Sequence, residues 1–124
     1  MRNQSLKEAF KNAFNGMKFV FSTQRNAKIH LLITILVLML GIFFKLSPQQ
    51  WMAIVLSIGI VWAFECVNTA IEQLTDLASP VYHILAKIAK DCAAAAVLAA
   101  SITAAAIGLI TFIPKLLIVL KTIF

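Results

Sequence analysis

Three apolar runs alternate with short polar links along the chain, and their lengths predict helices that cross a membrane. The runs are residues 29–46, 51–72 and 92–113. A bilayer core requires about 20 apolar residues in a helix. The third run meets this without a charged residue, whereas the first needs Lys45 to extend toward the interface and the second carries acids at its end. The pattern therefore predicts three membrane-spanning helices.

The links between the runs predict how the helices are joined. The link "KLSPQQW" is short, which indicates that the first two spans form an antiparallel hairpin with Trp51 at the interface. In "SPVYHILAKIAKD", Ser79 suits an N-cap and Pro80 the first helical position, so the third helix is predicted to begin near Pro80. Pro114 is predicted to end that helix and to leave an apolar tail over 114–124.

The segment before the first span, residues 5–28, repeats apolar residues at helical spacing. They are Leu6, Phe10, Ala13, Phe14, Met17 and Phe21. Lysines and an asparagine take the remaining helix surface, a pattern typical of an amphipathic helix that lies in the membrane interface. Packing of this helix against a soluble partner is the alternative.

The composition agrees with a membrane protein. Of the 124 residues, 61% are hydrophobic and 13% are charged, which is more apolar surface than a soluble domain of this size can bury. We therefore expect a single all-α integral membrane domain over residues 1–124. Its two cysteines are too few for a disulfide framework, and its start is too polar for a cleavable signal peptide.

The net charge of +6 is distributed unevenly around the predicted spans. If the N-terminus is inside, the cytoplasmic parts hold Arg2, Lys7, Lys11, Lys18, Arg25, Lys28, Lys87 and Lys90, and the outer parts hold Lys45, Lys115 and Lys121. This excess predicts a multi-pass protein of the cytoplasmic membrane with its N-terminus inside. The sequence has no basic stripe with interleaved aromatic residues, so we expect no nucleic-acid partner.

Four polar residues share one face at the end of the second span. Glu65, Asn68, Glu72 and Asp76 are separated by three, four and four positions, which places them in a helical stripe about 80° wide. Acids near a membrane are costly and usually mark a site. The alternatives are a hydrogen-bonded seam between helices or the wet end of a span. Mutual repulsion of the acids predicts a neighbouring cation, either a divalent metal or Lys90.

Carboxylates and a lysine at a membrane surface suit phosphoryl transfer, which needs a metal on phosphate oxygens and a base for the accepting hydroxyl. The four glycines are scattered, so neither a P-loop nor a glycine-rich kinase loop is present. A non-catalytic membrane subunit or a small ion-coupled carrier is the alternative from another class. A carrier should have a second polar stripe on a facing span, and the other two spans offer few polar side chains.

The sequence resembles the small prokaryotic diacylglycerol kinase family over about residues 6–116. The resemblance is carried by "AFKNAFNGMKF", "NAKIHLL", "ECVNTAIEQLTDL" and "SPVYHILAKIAKDCAAAAVL". The form "YHILAKIAKD" looks more like the undecaprenol kinase branch than the branch that phosphorylates diacylglycerol. The family implies a bacterial homotrimer with active sites shared between subunits, MgATP as donor and a lipid alcohol as acceptor. We expect undecaprenol as the acceptor, with diacylglycerol as the alternative.

The resemblance also implies a role for each matching residue. Glu65 would be the general base, Asn68 would position the lipid hydroxyl, and Glu72 would bind Mg²⁺ between the ATP phosphates. The remaining nucleotide contacts would be Lys90 on phosphate oxygens, Asp76 and Asp91 around the nucleotide, Tyr82 and His83 in the adjoining loop, and Asn12 on the surface helix. An exposed pair is the alternative for Lys90 and Asp91, and an interfacial loop histidine is the alternative for His83.

The chain departs from the family pattern at Gln24. In "STQRNAKIH" this position is expected to hold a metal-binding glutamate. An amide oxygen can coordinate Mg²⁺ but supplies no charge, so Glu72 would be the main metal anchor. His30 in the same segment is interpreted as a residue of the membrane edge.

Overall fold

A computed structural model describes residues 4–124 as four helices. These are α1 (Leu6–Thr23), α2 (Arg25–Phe43), α3 (Pro48–Ala78) and α4 (Ile84–Ile123). By length and composition, α2, α3 and α4 can each cross a membrane. The predicted all-α class with three candidate spans is therefore confirmed.

The hairpin between α2 and α3 is closed by local contacts that the sequence encodes. Ser47 and Gln50 form a reciprocal capping box at the start of α3, with Pro48 at the first helical position. Lys45 adopts a positive φ of 52° in the turn. Across the turn, a Cβ atom placed on Gly41 would lie 2.5 Å from the Trp51 ring. Only a glycine therefore lets the indole lie against α2.

The predicted surface helix over 5–28 ends earlier than expected, because Gln24 separates α1 from α2. Gln24 is extended, with φ −99° and ψ 119°; its N–H donates to the Val20 carbonyl at the end of α1, and it stands at the N-cap position of α2 without a side-chain capping bond. The hydroxyls of Ser22 and Thr23 both donate to the Phe19 carbonyl, at 3.0 and 2.7 Å. Such bonds compete with helical backbone pairing. The break turns Gln24 toward α3.

The predicted start of the last helix at Ser79 and Pro80 is wrong. Ser79 instead caps the C-terminus of α3, where its N–H donates to the Thr75 carbonyl. Its hydroxyl donates to the Val81 carbonyl at 2.7 Å, within the link that precedes α4. His83 is the N-cap of α4, and its Nδ1 accepts from the Leu85 N–H at 3.1 Å.

The predicted end of that helix at Pro114 is also wrong, because α4 continues to Ile123. Proline removes one backbone donor and crowds the carbonyl one turn before it. Membrane-spanning helices tolerate this loss, because no water competes for the remaining backbone hydrogen bonds and neighbouring groups bond to the carbonyl that is set free. The apolar tail is thus a continuation of α4.

The packing is dominated by α3 and α4, which run against each other, while α1 and α2 contact α3 less extensively. The buried face of α3 consists of Ile54, Ser57, Val61, Glu65, Asn68 and Thr69. Small residues on α4, including Ala93 and Ala100, are buried and permit close approach. The first part of the predicted polar stripe, Glu65 and Asn68, therefore continues the buried apolar face of α3, whereas Glu72 is half-buried and Asp76 is exposed.

Candidate functional site

A polar cavity of about 310 Å³ lies where the start of α2 meets α3 and α4. We call it the acid cavity. It is lined by Gln24, Asn26, His30, Glu65, Asn68, Glu72, Ala94, Val97, Leu98 and Ser101. The break before α2 supplies the first of these residues and the stripe on α3 supplies the acids. The helices thus bring together four of the predicted residues: Gln24, Glu65, Asn68 and Glu72.

Glu72 is held by two amide groups in this cavity. The Asn68 Nδ2 donates to Glu72 Oε1 at 3.3 Å, and the Gln24 Nε2 donates to Glu72 Oε2 at 3.1 Å. Both carboxylate oxygens therefore have a neutral donor. The arrangement orients the acid without neutralising its charge, so a cation can still be attracted to it.

Glu65 is the most enclosed acid, with 2% of its side chain exposed. Its Oε1 lies 2.9 Å from His30 Nε2. Within residues 4–124 this close contact lacks hydrogen-bond geometry, so two enclosed oxygens, Glu65 Oε1 and Asn68 Oδ1, accept no hydrogen bond. The sequence indicated only a membrane-edge role for His30. An ionisable side chain inside a candidate span was the signal that could have identified it as part of the site.

A second cavity, of about 330 Å³, lies where α3 leads into α4. We call it the loop cavity. Its lining consists of Asp76, Ser79, Pro80, Val81, Tyr82, His83, Ala86, Lys87, Lys90 and Asp91. Five residues predicted to contact the nucleotide therefore share one concave surface: Asp76, Tyr82, His83, Lys90 and Asp91.

The charges of the loop cavity form two ion pairs. Lys90 Nζ pairs with the Asp76 carboxylate, and Lys87 Nζ lies 2.6 Å from Asp91 Oδ2. Lys90 and Asp91 are thus paired with other residues and not with each other. Lys87 was predicted only as a cytoplasmic cation and not as a site residue, although its spacing of four from Asp91 is the signature of a helical ion pair.

The two cavities share no residue but follow one another along the same helix pair. Glu72 and Asp76 are four residues apart on α3, or about 6 Å along its axis. Lys90 and Ala94 have the same spacing on α4. Asn12, on exposed α1, lines neither cavity. A ligand about two helical turns long could therefore contact both cavities of one chain.

The metal chemistry of the acid cavity rests on a sparse donor set. Within residues 4–124, no three His, Cys, Asp or Glu side chains converge as a metal cluster. Mg²⁺ is commonly bound through one or two carboxylates together with waters and substrate phosphates. The cavity therefore fits a metal that arrives bound to a phosphate ligand. Its donors would be Glu72, the unpaired Oδ1 of Asn68 and the amide oxygen of Gln24.

An apolar groove of about 410 Å³ adjoins the acid cavity between α2, α3 and α4. The two spaces have His30 and Ser101 in common. The groove continues along the helices past Val61 and Ile54 to Phe112. A polar compartment and a hydrocarbon-lined compartment therefore meet at one point of the molecule.

Comparison with known proteins gives a consistent set of relatives. The family model for prokaryotic diacylglycerol kinase matches residues 11–112. The undecaprenol kinase of Bacillus subtilis is 40% identical over 109 residues, covering 88% of this chain and 89% of that protein. The diacylglycerol kinase of Synechocystis sp. is 39% identical over 110 residues, covering 88% of this chain and 63% of that protein. No solved structure matches.

Proposed function

The chain belongs to the prokaryotic diacylglycerol kinase family and is therefore a multi-pass membrane lipid kinase, and we propose that it transfers phosphate from ATP to undecaprenol. The match to the Bacillus undecaprenol kinase carries the choice of acceptor, because it spans 89% of that protein whereas the diacylglycerol kinase is matched over 63%. Diacylglycerol is the alternative acceptor, since the identities are nearly equal.

The acid cavity supports a role for Glu65 as the general base. In the transfer, the lipid hydroxyl oxygen bonds to the γ-phosphorus while the bond to the ADP oxygen breaks. The hydroxyl proton passes to the Glu65 carboxylate. Asn68, one turn along α3, orients the hydroxyl. The adjoining apolar groove supports this assignment, because a lipid alcohol needs polar and hydrocarbon space side by side.

The metal and nucleotide would occupy the polar surfaces of both cavities. Glu72 would be the main ligand of Mg²⁺, with the Gln24 amide as a neutral second ligand. The bound metal would neutralise charge on the ATP phosphate oxygens. In the loop cavity, Lys90 would exchange its pairing with Asp76 for phosphate oxygens. Asp91, Tyr82 and His83 would surround the rest of the nucleotide.

The site lies at the cytoplasmic face with the N-terminus inside. The excess of cations in the N-terminal segment and the loop before α4 supports this orientation. On α1, the side chains of Leu6, Phe10 and Phe14 are 81%, 65% and 73% exposed. A membrane interface would cover this apolar face.

A homotrimer with shared sites would cover another apolar face. One face of α3 carries exposed residues at spacings of three or four: Met52, Leu56, Gly59, Ala63, Val67, Ala70 and Leu74. We call this set the α3 seam. Apolar residues at such spacing, with small side chains among them, favour close packing of identical helices. Asn12 lines neither cavity of its own chain, which is consistent with a contact to a neighbour's nucleotide.

The test of the proposed function is phosphate transfer from MgATP to undecaprenol and to diacylglycerol in mixed micelles. We expect undecaprenyl phosphate as the main product. Glu65→Gln should reduce the rate by at least about 100-fold, the lower range for loss of a general base. Preferred phosphorylation of diacylglycerol would contradict the acceptor assignment. Full activity of Glu65→Gln would contradict the role of Glu65.

A further inference from the structure

His30 is the partner of the buried acid at the centre of the site. The described residues contain three pairs between a carboxylate and a basic side chain: His30 with Glu65, Lys87 with Asp91, and Lys90 with Asp76. Only the first is enclosed, with 19% of the His30 side chain and 2% of the Glu65 side chain exposed. A buried carboxylate is costly unless it is paired. The contact with His30 therefore decides how Glu65 is held.

The backbone of His30 is anchored to α3. The Thr34 hydroxyl donates to the His30 carbonyl at 2.7 Å, and the indole Nε1 of Trp62 donates to Thr34 Oγ1 at 3.2 Å. The rings of His30 and Trp62 meet edge to face, with centroids 6.4 Å apart and planes inclined at 74°. These contacts reduce the freedom of the imidazole before any substrate binds.

The register between α2 and α3 gives each acid one partner, from α2 or from the residue that caps it. Gln24 contacts Glu72 and His30 contacts Glu65. The six positions from Gln24 to His30 correspond to a rise of about 9 Å, and the seven from Glu65 to Glu72 to about 10.5 Å. The two contacts therefore lie at matching heights between antiparallel helices. The contact of Gln24 holds the proposed metal ligand, Glu72, and the contact of His30 holds the proposed base, Glu65.

We propose that His30 is the positioning residue of Glu65, an inference that rests on the proposed function. Its Nε2 faces Glu65 Oε1 at 2.9 Å as an ion-pair partner, so the other oxygen, Oε2, receives the proton of the lipid hydroxyl. His30 gains no proton in this step and does not touch the reacting phosphorus. Because His30 also borders the apolar groove, it fixes the base at the level where a lipid hydroxyl leaves its hydrocarbon chain.

The kinetic test compares His30→Leu, which keeps an apolar volume, with His30→Gln, which keeps an N–H donor. We expect kcat of His30→Leu to fall by roughly 10- to 100-fold, because the base loses the partner that lies 2.9 Å from its carboxylate and is no longer held in place. The KM for MgATP should change by less than about twofold, because the nucleotide residues are untouched. His30→Gln should retain activity within about threefold of the unmodified protein.

The control variant is Leu32→Ala, two residues away on α2 with 69% of its side chain exposed; its rates should be unchanged. Adding His30→Leu to Glu65→Gln should lower the residual rate no further, since His30 acts through Glu65. Full activity of His30→Leu would overturn the proposal. An equal loss in His30→Gln, or a parallel rise in KM, would overturn it in favour of a packing role.

A spectroscopic experiment tests the role of His30 independently of the proposed kinase activity. The chain has two histidines, His30 and His83, so the imidazole ¹⁵N spectrum of the purified protein contains two sets of signals, which His30→Leu assigns. Glu65→Gln should shift the His30 Nε2 signal and leave that of His83 unchanged. Unchanged His30 signals would overturn the positioning role whether or not the protein is active. Absence of lipid phosphorylation by the unmodified protein would overturn the proposed function itself.

Discussion

At the scale of single residues, the acids on α3 differ in their partners more than in their chemistry. Glu72 is held by two neutral amides, from Gln24 and Asn68, and keeps its full charge available for a metal. Glu65 is enclosed and faces an imidazole, which suits a base that has to be aimed. Two glutamates seven positions apart therefore have different surroundings, which fit the two roles proposed for them.

Gln24→Glu should increase the apparent affinity for Mg²⁺ by about tenfold, equivalent to about 1.4 kcal/mol. A second carboxylate beside Glu72 attracts the metal more strongly, but without metal the two acids repel and the donor to Glu72 Oε2 is lost. The measurement is a Mg²⁺ titration of kinase activity, together with thermal unfolding with and without Mg²⁺.

The matched control is Asn26→Asp, which adds the same charge to the acid cavity at a residue that has no hydrogen bond to Glu72. It should change the Mg²⁺ dependence much less. Equal effects of the two variants would show a general charge effect and contradict a role for Gln24 as a ligand.

At the scale of elements, the turns and breaks between helices decide which side chains meet. The break at Gln24 separates α1 from α2 and points a donor at α3. The contact of Trp51 with Gly41 closes the other end of the α2–α3 hairpin. With both ends held, the register between the helices is set, and His30 lies opposite Glu65.

Gly41→Ala should destabilise the protein by about 1–3 kcal/mol, the usual penalty for overpacking. The added methyl group would lie 2.5 Å from the Trp51 ring, so either the ring or the hairpin has to shift. The measurement is the free energy of unfolding in detergent micelles titrated with a denaturing detergent.

Gly16→Ala provides the control for that variant, because a Cβ at Gly16 on α1 meets nothing within 4 Å. It should be neutral or stabilising by about 0.5–1 kcal/mol through helix propensity. Equal stability of the two variants would contradict the proposed role of the Gly41–Trp51 contact.

At the scale of the whole molecule, one chain leaves apolar surface uncovered on all four helices, and two of these surfaces are the face of α1 and the α3 seam. Their surroundings differ in the proposal: lipid headgroups and tails cover α1, and identical helices cover α3. The two cavities lie on the other face of α3, away from the seam. Assembly through the seam would therefore leave the cavities open to ATP and lipid.

Ala63→Leu should dissociate the proposed trimer, because a larger side chain in the seam keeps identical helices apart. Ala106→Leu, at an exposed alanine of α4, is the matched control and should leave the assembly intact. The measurement is sedimentation equilibrium in detergent, with kinase activity followed in parallel. Dissociation by Ala106→Leu alone would place the contact on α4 and contradict the α3 seam.

Local patterns predicted most of the elements but not all of their ends. Apolar runs and helical spacing identify α2, α3 and α4, since both depend only on neighbouring residues. The helix ends were missed at Thr23, Ser79 and Pro114, where side-chain bonds or an apolar environment outweigh simple capping rules. The stripe on α3 was predicted as one site, but the structure divides its residues between two cavities.

The sequence by itself determined the all-helical class, the three candidate spans, the acids on one face of α3 and the family, because periodicity, apolar length and motifs are properties of the chain alone. Only the tertiary structure decided that His30 meets Glu65, that Gln24 donates to Glu72 and that Lys90 pairs with Asp76. These contacts join residues 14 to 48 positions apart. They depend on the register between packed helices, which no local pattern contains.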